Sequence, residues 1–133
     1  MPIEILRKGE ILLIVYSGTV TKTELVEMAG RLTKLEEGMA RIPNRLADLT
    51  RLAHPAVTFT DVLAFADQRR GLRFKNAFRS AVLAHGPVAT GFAQMWQALN
   101  DHPQITIEIF TDRDAALEWP GEHPRAVTAP TAR

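Results

Sequence analysis

The chain has 133 residues, 46% hydrophobic and 23% charged, with a formal net charge of +1. That composition supports a single domain with a real core, argues against wholesale disorder, and supplies no global pull toward nucleic acid or an anionic membrane. With no cysteine, disulfides, thiolate nucleophiles and cysteine-ligated zinc are excluded.

Residues 3–6 and 11–16 are short apolar runs separated by Lys8-Gly9, the pattern of an opening hairpin. Arg7, Lys8 and Glu10 interrupt the apolar stretch, so no signal peptide is expected. No apolar run approaches the roughly 20 residues that span a bilayer, and a cytoplasmic protein is the expectation. Residues 11–15 are apolar at every position, which marks a strand covered on both faces. "TKTE" at 21–24 is a capping box, and Leu25, Met28, Ala29, Leu32 and Leu35 follow at helical spacing, with Gly38 as the stop. "NRLADLT" at 44–50 predicts a short third strand. Residues 61–70 predict a second helix, with Val62, Leu63 and Ala66 on one side and Gly71 as its stop. "AFRSAVLA" predicts a fourth strand. "PVATGFAQMWQALN" predicts a third helix with Val88, Phe92, Met95 and Leu99 in register. "ITIEIF" alternates strictly and so predicts an edge or one-sided strand. Thr111 is the expected cap of a last helix, "DRDAALEW", which Pro120 ends. Residues 120–133 are proline-rich and aperiodic, so the expected organisation is one domain over 1–119 and a flexible tail over 120–133.

A hairpin followed by alternating β-α units predicts an α/β domain with an about five-stranded mixed sheet. Its later strands run parallel through right-handed crossovers. Ligands of such folds gather outside the carboxyl ends of strands. Those ends are expected at 17–21, 48–60 and 84–90, which singles out Asp48, Thr50, His54 and His85 as a candidate partner or ligand loop. No phosphate-binding glycine loop or G-x-S-x-G elbow occurs, and none of His54, His85, His102 and His123 has metal-ligand spacing. No enzyme activity, cofactor or metal is therefore expected. The basic stretch Arg69, Arg70, Arg73, Lys75 and Arg79 reads as a solvated helix end, with an anionic contact site as the alternative. Phe74 and Phe78 lie among these charges, but without a stacking-module motif no nucleic acid is expected.

"ILLIVYSGTVTKTEL", "LADL", "GFAQMW" and the closing "IEIFTDRDAALEWP", in this order, resemble the small bacterial STAS-like proteins. These are SpoIIAA-like relatives of the anti-sigma-factor antagonists, a group related to the CRAL-TRIO lipid-binding fold. The resemblance covers about residues 3–119. It implies helices gathered mainly on one face of the sheet and a non-enzymatic role in binding a regulatory protein partner or, in some relatives, a small lipidic ligand. Switch members carry a phosphorylated serine in a D-S-[ST]-G type motif at the start of the second helix. Here that region reads "AVTFTD", without the Asp-Ser pair or the glycine, and Thr58 or Thr60 stands at roughly the matching place.

Those two threonines have a plainer reading. Thr58-x-x-Asp61 has capping-box spacing, and Thr60 is the alternative cap with Phe59 as half of a hydrophobic staple. A phosphate is also favoured at a helix N-terminus, so one geometry suits both readings. The leading expectation is a STAS-like interaction domain that presents the start of the second helix to a partner. A homodimer is expected, because residues 11–15 are apolar on both faces and one layer of helices hides only one of them. The rival is a small-ligand carrier with a pocket lined by Phe59, Phe65, Phe92 and Trp96.

Overall fold

Residues 2–121 are described by a computed structural model. The chain opens on a hairpin, β1 (Ile3–Lys8) and β2 (Ile11–Thr21). Gly9 sits in its turn at φ +59°, the left-handed geometry that tight hairpin loops require and glycine adopts without strain. Then come α1 (Lys22–Glu37), β3 (Arg45–Ala56), α2 (Phe59–Arg70), β4 (Phe78–Leu83), α3 (Gly86–Leu99), β5 (Ile105–Phe110) and α4 (Arg113–Gly121). The strands form one sheet in the order β1-β2-β3-β4-β5. β1 is antiparallel to β2 and the other pairings are parallel. This is the expected mixed α/β sheet, with β5 at an edge.

Strand alternation sorts the apolar side chains into two layers. Leu12, Ile14, Leu49 and Val82 face α1 and α3, where they meet Leu25, Met28, Leu32, Ala89 and Ala93, and Phe65 of α2 packs against the same cluster. Ile11, Leu46, Ala81 and Leu83 face the other way and pack on Ala116 of α4, flanked by Leu13, Phe110, Leu117 and Trp119. Three helices therefore lie on one face and α4 on the other. The homodimer expectation assumed that the second face of β2 was open; α4 covers it at Ile11, which removes that motive.

The start of α1 is built as its sequence predicts: Glu24 accepts from the Thr21 N–H at 2.7 Å and donates its own N–H to the Thr21 hydroxyl at 3.4 Å. Other boundaries differ. β2 and β3 run on together well past their apolar cores, with Ser17 to Thr21 partnering Arg51 to Ala56. The 17–21 segment and most of 48–60 are therefore strand and not loop. Two register shifts let β3 carry extra residues, and Gly18, at φ +62°, accompanies the second. β3 pairs with β4 only as far as Asp48, so its extension is a two-stranded ribbon, where Pro55 is tolerated because one side has no ladder to break.

In α3 the buried positions are Ala89 and Ala93, and Val88 of the predicted stripe is 55% exposed. The small residues allow the helix to approach the sheet closely. In α4 the cap is Asp112, whose carboxylate accepts from the Ala115 N–H at 2.9 Å, and not Thr111. Pro120 lies inside the last turn, buried, with its carbonyl accepting from Asn44 Nδ2 at 2.7 Å. α4 thus runs to Gly121, past the expected domain end at 119; the rest of the predicted tail lies outside the described residues.

Candidate functional site

The structure sorts most of the sequence candidates into three places and leaves His54 apart from them. At the start of α2, Thr58 is the N-cap. Its hydroxyl accepts from the Asp61 N–H at 3.1 Å, and the Asp61 carboxylate accepts from the Thr58 N–H at 3.0 Å. Aspartate thus closes a box usually closed by Glu or Gln. Thr60 is not the cap; it lies exposed in the first helical turn. Phe59 is 58% exposed at the first helical position, which rules out the staple. α3 also follows a parallel strand on the same face, so its first turn, with exposed Val88, lies at the same end of the sheet.

Asp48 and Thr50 form a second group on the α4 face. The buried Asp48 carboxylate accepts from the Thr50 N–H at 2.9 Å, the Thr50 hydroxyl at 2.6 Å and the Arg113 guanidinium at 3.1 Å. Burial alone would push its pKa up; the Thr50 bonds and Arg113 outweigh it and hold the carboxyl below its usual value. The group fastens α4 to β3 at the first bulge. His85, just after β4, is exposed and its Nε2 lies 2.6 Å from the Thr111 carbonyl, a backbone bond between two loops. His54 is apart from both, exposed on the β3 extension opposite Thr19.

The third place is a cavity of about 80 Å³ between the sheet and α1 to α3. Phe65, Phe92 and Trp96 line it, with the Phe65 and Trp96 rings 5.2 Å apart; Phe59 does not reach it, because it points to solvent. Five polar residues also line it, all at most 9% exposed: Tyr16, Arg45, Ser80 and Asn100, which were not singled out from sequence, and Arg69, which was expected at a solvated helix end and is buried instead. Arg45 pairs with buried Glu36 and lies 4.2 Å from the centre of the Phe78 ring. Arg69 lies 5.2 Å from that of Phe74. Burial lowers the pKa of both guanidinium groups, Arg69 to about 10 with the nearby charge of Arg45 adding to the effect, while Glu36 opposes the shift in each. Burial raises the Tyr16 hydroxyl to about 12, so it stays neutral. A signal for the arginines existed. Arg45 alternates with Ala47 and Leu49, and Arg69 is in helical register with Val62 and Ala66, so each cation sits on an inward face.

In the rest of the basic stretch Arg73 is exposed, and three side chains are engaged within the fold. Arg70 pairs with Asp67 and Asp101, Lys75 donates to the Met39 carbonyl, and Arg79 donates to the Trp119 carbonyl.

Two solved structures superpose on this arrangement. One is an uncharacterized protein of the DUF3478 family with a SpoIIAA-like fold from Shewanella loihica PV-4. It is 22% identical over 88% of this chain and 90% of its own, with a TM-score of 0.57. The other is the anti-sigma factor antagonist SpoIIAA in its unphosphorylated form, 12% identical over 90% of this chain and 99% of its own, with a TM-score of 0.53. The fold is SpoIIAA-like. No protein-family model and no curated protein matches the sequence. Within this SpoIIAA-like fold, no helix of the described residues is long and apolar enough to cross a membrane.

Proposed function

We propose that this chain is a non-enzymatic regulatory domain of STAS type that binds another protein through the surface at the N-termini of α2 and α3. The observation that carries this reading is the exposure of Phe59, at 58%, directly after the Thr58 cap, with Val88 exposed at the same end. A large aromatic ring on a helix N-terminus, held in place by a reciprocal capping box, is a rigid anchor of the kind that dominates protein interfaces. The SpoIIAA-like fold supports a regulatory role, since SpoIIAA is an anti-sigma factor antagonist. Thr60, exposed one residue beyond Phe59, is then the better candidate phosphoacceptor, because the Thr58 hydroxyl is engaged in the cap.

The test compares proteins captured from the native cell by the wild type, by Phe59→Ser, and by Val26→Ser as a control at another exposed apolar position. A partner held by the wild type and the control but lost with Phe59→Ser is the expected result. Identical captures by all three would reject this surface.

A further inference from the structure

Buried polar atoms are nearly always paired, and an orphan calls for an explanation. Three orphans belong to residues lining the one cavity under α1 to α3: Arg45 Nε and both side-chain amide atoms, Oδ1 and Nδ2, of Asn100. Arg69 lines the same space. Glu36 is the carboxylate that acts on both guanidinium groups, and it is bonded to Arg45. Two buried cations thus share one anion. Arg69 and Asn100 lie at the C-terminal ends of α2 and α3, where the helix dipole favours positive charge, but that field pairs none of the three orphan atoms. Toward the other end the walls are apolar, with Phe65, Phe92 and Trp96.

Size narrows the occupant. At about 80 Å³ the cavity is well below the roughly 150 Å³ of an engineered apolar cavity that admits benzene, and far too small for a long acyl chain. We infer that the cavity binds a small organic anion, a carboxylate with a branched or straight body of about three to five carbons, its head at Arg45, Arg69 and Asn100 and its body against Phe65, Phe92 and Trp96. The charge of the head answers the unbalanced guanidinium, and its two oxygens accept from Arg45 Nε and Asn100 Nδ2; Asn100 Oδ1, itself an acceptor, gains no partner from a carboxylate and is left to water. This site is separate from the partner surface, since its polar end lies under the helix C-termini and Phe59 lies at a helix N-terminus. Either assignment can fail without the other.

The experiment is an NMR titration of the full chain at constant ionic strength with sodium butyrate, with butyramide as its uncharged counterpart, and with sodium octanoate. For a ligand of so few atoms saturation is expected at about millimolar concentration. Butyrate should shift the Trp96 indole and Asn100 side-chain signals saturably and bind at least about tenfold tighter than butyramide, the factor that a charge-assisted hydrogen bond supplies. Octanoate should bind no tighter than butyrate. Asn100→Leu should weaken both butyrate and butyramide, since each loses a donor at Nδ2, and leave butyrate the tighter of the two. If that variant fails to fold, the acid and amide comparison on the wild type still decides. Equal affinity for acid and amide, or no saturable shift at these two residues, would overturn the assignment and leave the orphan atoms to water. Tighter binding of octanoate would overturn the size limit.

Discussion

Thr58 does for α2 what Thr21 does for α1: each hydroxyl receives the N–H of the third helical residue and each third residue answers with a carboxylate. Thr58→Ala should therefore cost about 1 kcal/mol in urea unfolding, Thr58→Ser almost nothing, and Thr60→Ala little. An equal loss at Thr60 would contradict the cap assignment. Asp48 makes a prediction in pH. Its pKa is lower in the folded chain than in the unfolded one, so its contribution is fully present above its unfolded value of about 3.8 and drains away as acid takes the pH down through the folded value. Asp48→Asn should remove that portion of the acid sensitivity, read as a flatter plot of stability against pH below about 4. The buried Glu36–Arg45 pair is more demanding. Glu36→Ala leaves both buried guanidinium groups with no carboxylate, and should cost about 3–5 kcal/mol by denaturant unfolding.

Elements whose boundaries are written in local chemistry were legible from sequence alone. α1 and the hairpin are cases: a capping box, a helical stripe and a Lys-Gly turn each determine structure within a few residues. The long ends of β2 and β3 were not legible, because each is extended only by pairing with the other. Ser17-Gly18-Thr19 and His54-Pro55 carry no apolar alternation of their own. α3 misled for a different reason. Large apolar residues were read as the inward face, whereas close approach to the sheet selects Ala89 and Ala93 and leaves Val88 outside. The same bias hid the polar end of the cavity. Arg45 and Arg69 sat in the inward register, but charge was taken as a mark of the surface. α4 was found, though its role as the cover of a second face was not. That role predicts that Ala116→Asp, at a position with no exposed surface between Leu46, Ala81 and Leu83, destabilises the fold by several kcal/mol, measured by thermal and chemical unfolding.

Among the described residues one short helix stands against three, and the balance of association rests on it. Leu117 and Trp119 help shield the sheet face that includes Ile11 and Leu46. Replacing both with serine should uncover that face and raise the sedimentation coefficient relative to the wild type at equal concentration; an unchanged value would mean that Ala116 and Pro120 suffice to hold the cover in place. The position of this helix in the chain has a further consequence during synthesis. Strand order follows chain order, so each strand emerging from the ribosome finds its neighbour already waiting, and the layer under α1 to α3 closes progressively. The opposite layer cannot close at all until residues 113–121 have emerged and turned back across the sheet. Until then the nascent chain carries an apolar sheet face that α4 does not yet cover. Its vulnerability to chaperones, proteases and misassembly is concentrated in the interval before the last helix appears.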